Sequence, residues 1–171
     1  MKNIFLIGFM GTGKSTVARY MKQKYHMEII EMDEQIETQE GMSISEIFRV
    51  YGEAYFRNLE TELLAQIQTK KNRIVSCGGG VVLREENVQK MKTCGRVVLL
   101  TASPQTILKR VKNSRRRPLL EGKKNVEDIQ KLMEERREKY EMAADICICV
   151  DGKNSEDVCD EMIRRIERMG D

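Results

Sequence analysis

The sequence predicts an α/β fold in which a parallel sheet is covered by helices on both faces. Three observations predict it. Short apolar runs of strand length alternate with longer helical stretches along the whole chain. A glycine-rich turn follows the first of these runs directly. The chain has 171 residues, 40% hydrophobic and 33% charged, which suits one globular domain with its own core rather than a disordered segment.

The elements follow in order. Asn3–Ile7 reads as a strand and Lys14–Tyr25 as a helix. Residues 28–30 form a short strand. Ser43 begins a capping box, with Glu46 three residues on, and Ile44, Ile47 and Phe48 recur at helical spacing. After Gly52, an amphipathic pattern continues through Leu59, Leu63, Leu64 and Ile67. Residues 73–77 and 96–101 are strands. Ser103 followed by Pro104 starts a helix, because proline at the first helical position gives up an N–H that has no helical partner. Residues 126–142 form a long charged helix, read as a solvated face. Residues 145–150 are a strand, and Ser155–Met169 closes the chain as a helix. No internal repeat and no linker interrupts this order.

Composition excludes several functions. Thirty basic against 27 acidic residues leave a net charge of +3, too little to make nucleic acid the main partner. Trp is absent and aromatics are 5%, which argues against a stacking platform for single strands. No apolar run approaches the ~20 residues of a membrane span. No signal peptide opens the chain, so the expected compartment is the cytoplasm. The five cysteines, Cys77, Cys94, Cys147, Cys149 and Cys159, show no metal-binding spacing with each other or with His26, and are read as reduced core residues.

Gly8-Phe9-Met10-Gly11-Thr12-Gly13-Lys14-Ser15 matches G-x-x-x-x-G-K-[ST] in full, after a strand and before a helix. Glycines let successive N–H groups turn toward phosphate oxygens, and the helix N-terminus adds its dipole. Lys14 supplies a charge to the β- and γ-phosphates, and Ser15 a hydroxyl to Mg²⁺. The motif predicts a nucleoside triphosphate. No guanine-reading N-K-x-D is present, and the chain is short for a motor or transporter, so a small-molecule phosphotransferase fits best.

Three further features lie at strand ends. Asp33 follows the second strand; it can accept a proton from an attacking hydroxyl, help hold hydrated Mg²⁺, or cap a helix. Arg57 follows Phe56 in a helix, where it either contacts a ligand or pairs on the surface with Glu53 or Glu60. Gly78-Gly79-Gly80 follows the third strand and is either a flexible turn or a close backbone approach to a ligand. Between two helical stretches, the chain also carries Arg115-Arg116-Arg117-Pro118-Leu119-Leu120-Glu121-Gly122-Lys123-Lys124. This run is a solvated loop, a nucleic-acid patch, or a cationic lid that excludes water from the transferring phosphate.

From Ile4 to about Ile166 the sequence resembles the shikimate kinases. The resemblance rests on the 8–15 motif, Asp33, Phe56-Arg57, Gly78-Gly79-Gly80, Arg117-Pro118-Leu119-Leu120, and Arg136 within Leu132-Met133-Glu134-Glu135-Arg136. It implies a P-loop NTPase fold of the nucleoside monophosphate kinase type: a five-stranded parallel sheet flanked by helices. One domain would span 1–171, with a substrate-binding subdomain at about 32–60 and a lid at about 112–124. The implied reaction converts ATP and shikimate to ADP and shikimate 3-phosphate, in aromatic amino-acid biosynthesis, with Mg²⁺.

Carried onto this chain, the resemblance gives Lys14, Asp33 and Arg117 catalytic roles. Gly11, Thr12, Gly13, Lys14, Ser15, Thr16, Arg110 and Arg117 would hold ATP, with Arg110 packed on adenine. Asp33 would contact the reacting hydroxyl, Arg57 and Arg136 the shikimate carboxylate, and Gly78, Gly79 and Gly80 the ring hydroxyls. Ser15, Ser76 and, through water, Glu31 would serve the metal. Glu31 stands where many members have Asp, and 151–155 matches the adenine-side loop only loosely. A monomer acting on shikimate and ATP is expected, without nucleic acid or membrane. The alternatives are a kinase for another polyhydroxy carboxylate such as gluconate, and a catalytically idle nucleotide-binding homologue.

Overall fold

The computed structural model describes residues 1–111 and 125–170. Its strands are β1 (Asn3–Ile7), β2 (Glu28–Glu31), β3 (Arg73–Ser76), β4 (Gly95–Thr101) and β5 (Ile146–Cys149). Its helices are α1 (Lys14–Tyr25), α2 (Met32–Glu40), α3 (Ile44–Tyr51), α4 (Glu53–Ile67), α5 (Glu85–Cys94), α6 (Pro104–Val111), α7 (Val126–Ala143) and α8 (Ser155–Met169), with a 3₁₀ turn at Val81–Leu83. The strands form one parallel sheet in the order β2-β3-β1-β4-β5.

This order decides where a ligand can bind. The chain leaves β1 toward one side of the sheet and returns through β4 to the other, which opens a crevice beyond the carboxyl end of β1. Register levels the neighbouring strand ends: Leu6 lies opposite Ser76, and Ser76 opposite Glu31. The turns after β1, β2 and β3 therefore meet at one edge of the sheet.

The core explains the strand sequences. Every residue of β1 is buried, as a central strand covered on both faces requires. Phe5, Leu6, Val75, Val97 and Val98 are fully enclosed. Asn3 is buried as well, and its amide spans the sheet: Nδ2 donates to the Lys70 carbonyl at 2.9 Å and Oδ1 accepts from the Arg73 N–H at 3.0 Å. At the sheet edge, β5 alternates, with Ile146 and Ile148 buried and Cys147 and Cys149 exposed. The reading of all cysteines as core residues is thus corrected. Cys77 and Cys159 are buried, Cys94 is half-buried, and all five are free thiols.

Helix ends differ from expectation in two places. Ser43 Oγ accepts from the Glu46 N–H at 3.2 Å, but the glutamate does not return the bond. The reciprocal box forms instead at α8, between Asn154 and Asp157. Helix α5 has no counterpart in the sequence reading. Helix α7 is not simply solvated: Ile129, Arg136, Tyr140 and Ala143 form a buried stripe along it. Among the described residues, no helix is long and apolar enough to cross a membrane.

Candidate active site

The loop after β1 wraps toward the N-terminus of α1. Gly13 adopts φ +92° immediately before the helix, a conformation that L side chains rarely take. A Cβ there would also come within 2.9 Å of the Arg110 guanidinium. Lys14 is buried beneath the loop, and its ammonium donates to the carbonyls of Gly8 at 2.8 Å and Phe9 at 3.1 Å. Thr12 Oγ1 donates to the Phe9 carbonyl at 2.9 Å, pinning the turn. On the far side of the loop lies a cavity of about 390 Å³, lined by Gly11, Gly13, Thr16, Arg110, Lys153 and Asn154 among others. Arg110 reaches it from α6 and donates to the Gly11 carbonyl at 3.3 Å.

The level strand ends bring three oxygen groups together. Ser15 Oγ donates to Glu31 Oε2 at 2.9 Å and lies 3.4 Å from Ser76 Oγ. Hydroxyl and carboxylate oxygens suit Mg²⁺, which keeps several waters and binds through one or two carboxylates plus substrate phosphates. No cluster of three or more His, Cys, Asp or Glu residues able to hold a metal occurs among the described residues. The set therefore fits an ion carried with a nucleotide rather than a closed protein cage. Glu31 is the N-cap residue of α2, so Asp33 lies within the first turn and is not the cap.

A second cavity of about 300 Å³ joins this oxygen set to Lys14, Asp33, Gly78 and Gly79. Gly78 and Gly79 form its floor, and three elements approach the triple glycine closely. A Cβ on Gly78 would lie 2.8 Å from Glu60 Oε2 and 2.9 Å from Asp33 Oδ1. One on Gly79 would lie 3.4 Å from Arg136 Nη1. One on Gly80 would overlap the Arg57 guanidinium. Asp33, Arg57 and Arg136, on α2, α4 and α7, thus converge on Gly78, Gly79 and Gly80.

Arg57 is only 6% exposed, so the surface-pair reading fails. Glu53 and Glu60 do pair with it, at 3.0 and 2.7 Å, one helical turn to either side. The Phe56 ring lies 5.2 Å away. Burial acts against the Arg57 charge, but Glu60 and Glu53 outweigh it and hold the guanidinium above its ordinary range. The sequence suggests only a surface partner in Glu60, yet it is fully buried. Burial pushes its carboxyl up to about 7, against the opposing pull of Arg57. Its i,i+3 spacing from Arg57 was the available signal; its burial was not visible.

Several polar atoms in this cluster are buried without hydrogen-bond partners: Arg57 Nε, Glu60 Oε2 and Arg136 Nη1. Unpaired buried donors cost free energy, so guanidinium N–H groups left open around a cavity suit an anionic ligand. Two arginines meeting at one glycine run are well suited to a carboxylate. Arg117 and the basic 115–124 run lie outside the described residues.

The chain is similar to known proteins over nearly its whole length. A chain from Thermodesulfovibrio yellowstonii described as shikimate kinase is 43% identical over 99% of this chain and 97% of its own length. The shikimate kinase from Acinetobacter baumannii, solved in complex with shikimate, superposes with a TM-score of 0.94 at 29% identity, over 99% of this chain and 95% of that one. A gluconokinase from Sinorhizobium meliloti reaches a TM-score of only 0.59 at 15% identity, over 98% of this chain and 93% of that one, a likeness of fold alone. The family model for shikimate kinase covers residues 10–167. With a phosphate loop, a glycine floor and two buried arginines in one crevice, and with that match over nearly its whole length, the chain belongs to the shikimate kinase family.

Proposed function

We propose that the chain transfers the γ-phosphoryl group of ATP to the 3-hydroxyl of shikimate, giving shikimate 3-phosphate and ADP. One observation carries this reading: two buried arginines and Asp33 converge on one glycine run, whose Gly78 and Gly79 line a cavity together with Asp33 and Lys14. Arg57 and Arg136 take the shikimate carboxylate, and Gly78, Gly79 and Gly80 read the ring hydroxyls. Such anchoring presents the remaining hydroxyl to the phosphate and replaces a bimolecular encounter with a positioned one.

ATP lies along the P-loop, held by Gly11, Thr12, Gly13, Lys14, Ser15 and Thr16, with Arg110 beside the base. Ser15, Ser76 and Glu31 would hold Mg²⁺ and its water. When bound, the ion neutralises charge on the β- and γ-phosphates. Asp33 orients the attacking hydroxyl and takes its proton as the oxygen bonds to γ-phosphorus. The bond from that phosphorus to the bridging oxygen breaks, and ADP leaves. Lys14 turns from the Gly8 and Phe9 carbonyls to the phosphates. We assign the protein as a monomer. We further assign the activity to the cytoplasm.

The test is ADP release from ATP and Mg²⁺ with shikimate, with gluconate, and with neither acid. The expected result is release that depends on shikimate. Release with gluconate alone would overturn the acceptor assignment, and the absence of release with either acid would leave nucleotide binding without a kinase.

A further inference from the structure

We propose that Tyr140 is a positioning residue for the acceptor, holding the Gly79–Gly80 peptide so that its N–H faces the substrate. This rests on the shikimate reading above and adds to it a residue that does not touch the substrate.

The glycine floor is held by its own hydrogen bonds. Its three carbonyls are all engaged within the protein. The Val81 N–H donates to the Gly78 carbonyl at 3.2 Å and the Leu83 N–H to the Gly80 carbonyl at 3.1 Å. The middle carbonyl, of Gly79, accepts from the Tyr140 hydroxyl. None of the Gly78, Gly79 and Gly80 N–H groups donates to another described residue. Gly78 and Gly80 are buried and Gly79 is half-buried, and backbone donors so placed are seldom left without an acceptor, which suits a ligand that accepts from them.

In a trans peptide the C=O and the following N–H point in opposite directions. Two carbonyls of the floor are held by the backbone of the 3₁₀ turn. The third has a side chain as its only partner. Drawing the Gly79 carbonyl toward α7 turns the Gly80 N–H away from α7. A glycine peptide has little resistance to rotation of its own. The Tyr140 hydroxyl is therefore what selects one orientation.

Tyr140 is suited to act at a distance. It is 5% exposed and lines a separate cavity of about 310 Å³ with Phe9, Leu99 and Met133. The acceptor cavity is lined by Gly79 and not by Tyr140. Tyr140 also lies one helical turn after Arg136, whose Nη1 would be 3.4 Å from a Cβ on Gly79. The same stretch of α7 thus presents the carboxylate-binding arginine and fixes the peptide that reads a hydroxyl.

The test is Tyr140→Phe, which keeps the buried ring and removes the hydroxyl. Losing one buried bond costs a small part of a typical domain's stability, so the variant folds. Shikimate is titrated without ATP, and each substrate is varied in steady state. The shikimate Kd and KM are expected to rise roughly five- to tenfold, about the worth of one hydrogen bond, with the ATP KM within about twofold. A variant with unchanged shikimate binding, or with both substrates weakened alike, would overturn the role of Tyr140 while leaving the acceptor assignment intact. A wild-type protein that does not bind shikimate would overturn the acceptor reading, and the proposal with it.

Discussion

Glu60 lies fully buried with its carboxylate 2.7 Å from the Arg57 guanidinium, and its second oxygen faces Gly78. The pair sits against the glycine run rather than on the surface of α4. Asp33 adds a like charge to Glu60, while Arg57 and Arg136 oppose it; burial outweighs them and raises the carboxyl from 4.5 to about 7. A carboxyl whose value rises on folding contributes stability that is full below about pH 4.5 and is lost as pH rises through about 7. Wild type should therefore lose stability relative to Glu60→Gln across that window, with a slope approaching roughly one proton. Chemical denaturation at several pH values measures the difference; a constant difference across the window would contradict the burial argument.

Arg57→Ala should weaken shikimate binding by roughly 2–5 kcal/mol, because it removes a desolvated charge from its anion and leaves Glu60 buried alone. ATP affinity should be nearly unchanged. Isothermal titration with each substrate separates the two, and unchanged shikimate affinity would remove Arg57 from the pocket.

Asp33→Asn keeps the shape of the side chain and removes its ability to take a proton. Its kcat should fall roughly 10²–10⁴-fold, the usual range for a general base, with little change in ATP binding. Single-turnover measurements isolate this step. Undiminished turnover would leave Asp33 as a structural residue.

Gly80→Ala puts a methyl group where the Arg57 guanidinium lies. A free arginine would swing aside, but this one is pinned by Glu53 and Glu60. The variant should lose about 1–3 kcal/mol of stability, several degrees in Tm, together with shikimate affinity. Thermal unfolding and a shikimate titration check both effects; a stable, fully active variant would show that Arg57 can relocate.

Much of the fold was legible because its signals are local. The P-loop, the Ser155–Met169 helix and the strand-helix alternation depend on spacing that one stretch of chain carries by itself. The site was legible in part. Asp33, Arg57, Arg136 and the glycines stood out as residue types at strand ends or through resemblance. What escaped was burial, which depends on what folds over a residue. Glu60 and Arg57 read as a surface pair because i,i+3 spacing looks alike in water and in a core. Tyr140 was lost inside a charged helix whose buried stripe is only one residue wide per turn. Helix α5 was missed although Glu85 and Glu86 begin it and Lys92 lies in its last turn. Cys147 and Cys149 point outward because β5 is an edge strand, and strand order is not written in one segment.

The most direct test of the central claim is the chemical identity of the product. Wild-type protein is incubated with ATP, Mg²⁺ and shikimate, and the mixture is read by phosphorus and proton NMR. The account predicts one new phosphate ester, on the 3-hydroxyl, in equal amount to the ADP formed. An ester on another hydroxyl, or ADP with inorganic phosphate and no ester, would contradict the placement of shikimate between Asp33 and the two arginines.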